Sequence, residues 1–383
     1  MMNRDPQSFS GRLLNLVKLG QLRSHLNLTQ QGFAEQLALE GKGVQNVRIL
    51  FPAQRVPIAS PSEDDFVPRG KYYREGWCDR PNVFVCDVPE AKVHIPSGLV
   101  CTRNLTALAD VGMAHRMGVF APFGHKKPTR VKKIPGTYST INYCLSGNIW
   151  HWMLDCLPKI HSLAKVAPKT SLTLLMPSNA TEFQRQTLQC ILPDHFKVTY
   201  GIKEEWVQTE HFLWASLISD RCLGLLPDEY YRAIRHPIFQ KLGLPLTHNK
   251  TERIYISRRY ARHRRVNNED QLIDHLKKYG FRTIDPENLS FEKQVEIFHR
   301  AEIIVSAHGA GLGGMFFSGE IAVVVLYSTQ VPPNYFHTLA IGLGQKHLFL
   351  CHDEKDEDSD FEVNLPALEN LLKNELNLRP VAI

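Results

Sequence analysis

The pattern of apolar positions is most regular in the last third of the chain. Short β-branched runs at 253–257 (RIYIS), 281–284 (FRTI), 302–307 (EIIVSA), 321–327 (IAVVVLY) and 347–351 (HLFLC) alternate with stretches of helical period. Residues 268–279 open on Asn268, carry Glu269 and Asp270 in the first turn, and put Leu272, Ile273, Leu276 and Tyr279 on one face. Residues 290–300 open on Ser290 and present Phe291, Val295 and Phe298. A short helix after 307 and another around 334–342 complete the alternation. This rhythm predicts a parallel sheet with helices on both faces. Ligands of such sheets bind at the carboxyl ends of the strands.

The earlier chain is less regular. Residues 1–80 read as irregular, with Pro, Ser and Gly clusters near 52–70. The runs VFVCD and KVHIP, from residue 83 on, predict short alternating strands. Residues 147–167 predict a helix interrupted near Pro158. A buried strand at 171–177 precedes a helix at 179–192 with a capping box from Asn179 to Glu182. Strands KVTY and FLWAS, a helix around 228–242 and a linker at 243–252 follow. The predicted fold class is α/β, with two domains facing a cleft. The expected divisions are an irregular N-terminal extension (1–80), an N-terminal α/β domain (81–245), a C-terminal α/β domain (246–352), and an acidic segment with a C-terminal helix (353–383). The run DEKDEDSDFE (353–362) contains D-x-D triplets, but its low complexity reads as a solvated segment rather than a metal site.

Composition narrows the partners. The 383 residues are 43% hydrophobic and 22% charged, with a formal net charge of +6, which suits an anionic ligand but is too weak to argue for nucleic acid. The eight cysteines form no C-x-x-C pair, so reduced thiols in a cytoplasmic protein are expected. The first 30 residues lack a signal-peptide core, and no 18-residue apolar run occurs. Residues 11–26 read as a basic amphipathic helix, suited to peripheral membrane contact or to packing on the body of the protein.

Three constellations carry chemistry. The first is AHGAGLGGMFFSG at 307–319, where Gly309-x-Gly311-x-x-Gly314 has the spacing of a dinucleotide fingerprint. That fingerprint wants an acid about 20 residues on, yet no Asp or Glu lies between Glu320 and Asp353. What survives is a loop whose Gly309 and Gly311 amides can approach an anion, with His308 donating beside them, or else a tight turn with a packed histidine. The second is SRRYARHRRVNNED (257–270), with five arginines in eight residues at the end of a strand in the same predicted sheet. Guanidinium forks match phosphate oxygens; solvated surface and an RNA patch are the alternatives. The third is NIWHWMLDCLPK (148–159). His151 and Asp155 share a helix face between tryptophans, as a general base with its orienting carboxylate would, or as a buried histidine beside a surface carboxylate.

Taken in order, these stretches resemble glycosyltransferase family 61. The matching residues are His151, Trp152, Asp155 and Pro158; then Arg258, Arg264, Asn268 and Glu269; then His308, Gly309, Ala310, Gly311 and Phe316. The resemblance implies a GT-B-like pair of Rossmann-like domains. It implies inverting, metal-independent transfer from a nucleotide-diphosphate sugar, typically a UDP-sugar, to a glycan acceptor, with no separate cofactor. It makes His151 and Asp155 catalytic, Arg258, Arg264, His308, Gly309 and Gly311 ligands of the donor diphosphate, and Trp152, Asn268 and Glu269 supporting residues. Surface-polysaccharide synthesis is the expected setting. Two departures stand out. Gly313 and Gly314 replace the Thr-Asn or Ala-Asn of many members, and the strand 323–327 (VVVLY) ends without their glutamate. An NAD(P)-dependent oxidoreductase and a degenerate, non-catalytic sugar- or nucleotide-binding protein are the competing readings.

Overall fold

The computed structural model describes residues 30–58, 77–110, 128, 131–218, 223–248, 250–328 and 335–381; the basic segment 11–26 lies outside them. Contacts divide the chain into two units. One comprises Met1–Gln54 with Arg80–Arg221, the other Arg55–Asp79 with Cys222–Ile383.

The strands up to residue 215 are β1 Gln30–Gly32, β2 Gln45–Phe51, β3 Gln54–Pro57, β4 Trp77–Arg80, β5 Val83–Asp87, β6 Lys92–His94, β7 Leu99–Cys101, β8 Thr106–Leu108, β9 Lys132–Ser139, β10 Leu172–Met176, β11 Phe196–Tyr200 and β12 Trp206–Ala215. In the first unit one sheet runs β1-β8-β7-β6-β12-β9-β10-β11, with β5 bridging β12 and β2. This differs from the expected Rossmann-like domain, because the sheet is mixed. The pairs among β12, β9, β10 and β11 are parallel, whereas β5 and β6 run antiparallel to β12. The reason is connection length. Parallel neighbours need a crossover of about a dozen residues or more. The helices before and after β10 supply such crossovers, but the tight turns among β5–β8 do not. Residues 30–57, expected to be irregular, contribute β1, β2 and the helix Ala34–Leu39.

The interruption of the helix at 147–167 also falls elsewhere than expected. A turn at Ile149–His151 passes into a π-helical segment, Trp152–Cys156, and then into the α-helix Leu157–Val166. The Leu157 N–H donates to the Trp152 carbonyl, five residues back. Pro158 sits in the first turn of the α-helix, where a missing N–H costs nothing. The capping box downstream uses Thr181 and Gln184, not Asn179 and Glu182.

In the second unit β13 Glu252–Ile256, β14 Phe281–Ile284, β15 Ala301–Ala307, β16 Ala322–Tyr327 and β17 Lys346–Cys351 form one parallel sheet in the order β14-β13-β15-β16-β17. Counted within the unit this is 2-1-3-4-5, a doubly wound order whose switch point lies between β13 and β15. Helices Glu269–Lys277 and Phe291–His299 form where the periodicity places them, the latter capped by Ser290. One sheet face buries Tyr255, Val305, Val324 and Leu326 against Leu272 and Leu276, together with Phe361, Leu368 and Leu372 of the C-terminal segment. The acidic run is therefore part of the fold. Asp360 is 2% exposed and receives the backbone N–H and Nε of Arg265, both at 2.7 Å. Residues 243–252 are likewise held in place: His299 Nε2 donates to Pro245 O at 2.8 Å, and the Thr251 and Glu252 amides donate to Arg300 O. Among the described residues six cysteines form no disulfide, but Cys78 is disulfide-bonded, against the expectation of a fully reduced chain.

Candidate functional site

At the switch point of the second unit, chain exits from two adjacent parallel strands meet. Residues 257–265 leave β13, and His308–Gly311 leave β15. The five arginines there separate into classes. Arg259 pairs with Glu269 at 3.1 Å and with Asp270; Arg265 pairs with Asp360. Arg262 is exposed. Arg258 and Arg264 are partly buried, and among the described residues neither has a carboxylate partner. Burial, and then the neighbouring Arg264 charge, pull Arg258 down to about 10. Burial also lowers Arg264. Two guanidinium groups that no carboxylate pairs, with Glu287 and Asp360 acting on Arg258 only through space, form a site of unmet positive potential.

Local structure keeps them there. Glu269, 5% exposed, accepts from Tyr255 Oη at 2.8 Å, Ser257 Oγ at 2.9 Å, the Arg258 amide at 3.2 Å and Arg259 Nε at 3.1 Å. It is the post around which the strand exit turns. Asn268 does not cap its helix. Its side chain donates to Val363 O and accepts from Val363 N, both at 2.9 Å, which ties the C-terminal segment under the loop. Arg264 has φ +58°, a left-handed conformation uncommon outside glycine, and its amide donates to Asp358 O at 2.9 Å. That backbone turn aims the guanidinium at His308, whose Nδ1 accepts from Arg264 Nη1 at 2.7 Å.

His308 is ringed by Tyr327, Tyr335 and Phe336, at centroid distances of 5.3, 5.7 and 5.5 Å. Burial first, then Arg264 and Arg258, push it down to about 3, so it is neutral. With Nδ1 accepting, the proton of the neutral ring stands on Nε2, which makes it a hydrogen-bond donor without a charge. Gly309 is extended, not left-handed; a Cβ there would come within 1.8 Å of Arg258 Nη1, so any larger residue would push that guanidinium out of its place. Gly311 differs, because its Cβ would meet nothing nearer than Ile256 at 3.6 Å. Gly314 belongs to the core: a Cβ would strike Phe298 at 2.0 Å. The segment Ala310–Phe317 is a 3-10 helix rather than an α-helix, and Phe316 is fully buried in it.

The first unit holds the second cluster. His151 Nδ1 and Asp155 Oδ2 are 2.7 Å apart, and Tyr143 Oη closes the triangle at 2.7 Å to Asp155 and 2.9 Å to His151. His151 is 8% exposed and Asp155 5%. Burial, and then the Asp155 charge, raise the Tyr143 phenol, so it stays protonated and donates to the carboxylate. His151 donates through Nδ1 to the same oxygen, which leaves the Nε2 lone pair free to accept a proton. A π turn begins directly after His151 and carries Asp155, a distortion frequent at functional sites. Trp152 is fully buried and donates to Thr187 Oγ1 at 2.8 Å, so it anchors the π turn and offers no face for stacking. Tyr143 has no motif around it, and only tertiary contact shows its part. Lys159 is also fully buried, its Nζ 5.1 Å from the centre of the Trp214 ring, without a hydrogen bond among the described residues.

Residues 149–325 match the family model of Glycosyltransferase 61, a span that takes in the His151 turn, the arginine loop and the His308 loop. The chain is also similar to the EGF domain-specific O-linked N-acetylglucosamine transferase of Drosophila melanogaster, with 33% identity over 116 residues, 29% of this chain and 22% of that protein. It thus spans about a fifth of that relative's length. Over residues 149–325, the chain carries a glycosyltransferase 61 region.

Proposed function

We propose that this protein is an inverting, metal-independent glycosyltransferase that moves a sugar from a nucleotide-diphosphate donor, with a UDP-sugar the leading candidate, to a hydroxyl of a glycan acceptor. The observation that carries the reading is the pair of partly buried arginines, Arg258 and Arg264, that lack a carboxylate at the switch point of a parallel sheet. A diphosphate leaving group supplies the missing charge. In this reading His151 Nε2 takes the acceptor proton, with Asp155 and Tyr143 holding its tautomer. The acceptor oxygen attacks the anomeric carbon from the face opposite the leaving group, the bond to the diphosphate breaks, and configuration inverts. Arg258, Arg264, the neutral Nε2–H of His308 and the 309–311 amides stabilise the charge that develops on the diphosphate. The relative's name, an O-linked sugar transferase, agrees with an oxygen nucleophile. We place the reaction in surface-polysaccharide synthesis, with peripheral membrane contact.

Donor turnover, read as released nucleoside diphosphate with and without acceptor, tests this. Arg264→Ala and His308→Ala should each lower turnover by about 10²–10³. His151→Ala should abolish transfer while leaving donor binding intact. Full turnover in both Arg264→Ala and His308→Ala refutes the assignment, and reduction of a nicotinamide cofactor by the pure protein favours the oxidoreductase reading.

A further inference from the structure

We propose that Glu287 reads the ribose of the donor, so that the second unit selects a ribonucleoside diphosphate over diphosphate alone. This rests on the diphosphate reading above. A hollow opens at the strand ends beside Arg258. It is lined by Arg258 and Tyr260 beyond β13, by Asp285 and Glu287 beyond β14, and by Gly309 and Gly311 beyond β15. Adjacent strands lie about 4.8 Å apart, so the end of β14 stands roughly 10 Å from that of β15. A group bound at β14 is thus one strand further out than the anion site, on the side where a nucleoside attached to that anion can extend.

The two carboxylates there are not equivalent. Asp285 is spent on its own turn, accepting from the Glu287 amide at 3.3 Å and from Asn288 Nδ2 at 2.6 Å. The Glu287 carboxylate is exposed and, among the described residues, has neither a hydrogen bond nor an ion pair. Its charge is near enough to act on Arg258. A carboxylate on the rim of an anion site repels phosphate, so it helps a ligand only by accepting from hydroxyl or N–H donors. A vicinal diol offers two such donors to its two oxygens. Tyr260, 74% exposed on the same hollow, adds a flat apolar face beside it. Strand β16 itself ends in Val325-Leu326-Tyr327, without a carboxylate.

The test is calorimetric titration of the full chain with UDP, GDP and CDP, then with the 2′-deoxy form of the tightest ligand and with pyrophosphate. The native chain should prefer the ribonucleotide over its deoxy form. Glu287→Ala should weaken the ribonucleotide about tenfold and erase that preference. Pyrophosphate should bind Glu287→Ala as well as the native chain or better, since a negative charge has gone. A Glu287→Ala chain that keeps the ribose preference, or a native chain that binds pyrophosphate but no nucleotide, overturns the proposal and leaves the anion site standing. A native chain that binds neither overturns the diphosphate reading itself.

Discussion

At the residue scale, burial and counter-charge decide function. Of the arginines between 258 and 265, the sequence shows only a run. Carboxylates neutralise Arg259 and Arg265 and leave Arg258 and Arg264 for a ligand. The same logic singles out His347. Both its ring nitrogens are buried without a hydrogen bond among the described residues, and burial pushes it down to about 3. Phe349 stacks on it at 5.9 Å. His347→Phe should therefore stabilise the protein by about 1 kcal/mol, the cost of an unmet polar group, read as a raised melting temperature at pH 7. His308 and His248 are also depressed, to about 3 and about 4. Because all three fold with a pKa below the unfolded value of 6.5, their stability contribution is complete above pH 6.5 and is lost as pH falls toward 3–4. Melting temperatures measured from pH 7 to pH 4 should decline, and less steeply in His347→Phe.

At the element scale, the loop after β15 shows how one motif serves two masters. Gly314 gives the segment its dinucleotide-like spacing, yet its role is contact with Phe298 of the helix Phe291–His299. Gly314→Ala should cost about 1–3 kcal/mol through overpacking, detectable in urea unfolding. Gly311→Ala meets only ordinary contacts, so it should leave the melting temperature within about 1 °C and reduce donor affinity instead. Equal loss of stability in the two variants would refute this division. The π turn at Trp152–Cys156 is a further case of local structure that pattern reading misplaced. A helix break near Pro158 was legible in the sequence. Its location two to six residues earlier was not, because it depends on the i→i+5 bond from Leu157 to Trp152 and on Trp152 sitting in the core.

At the scale of the whole molecule, the chain crosses between units more than once. Residues 55–79 belong with the C-terminal unit, where Ile58 and Cys78 pack on Leu225 with Val56 and Ile341. A fragment beginning at residue 222 leaves that apolar patch uncovered. It should aggregate or melt several degrees lower than a fragment in which residues 55–79 are supplied by fusion, as size-exclusion and thermal melts would show. The sequence alone determined the alternation of strands and helices after residue 252, the helix starts at Ser290 and Asn268, and the three stretches that carry the chemistry. Each is written in local periodicity or in a short run of residue types. The mixed sheet of the first unit, the partition of the arginines, the Tyr143 contact with His151 and Asp155, and the bare carboxylate of Glu287 were decided only by the tertiary structure. They depend on which residues, distant along the chain, come to share one low-dielectric space, and on which charges that space leaves without a partner.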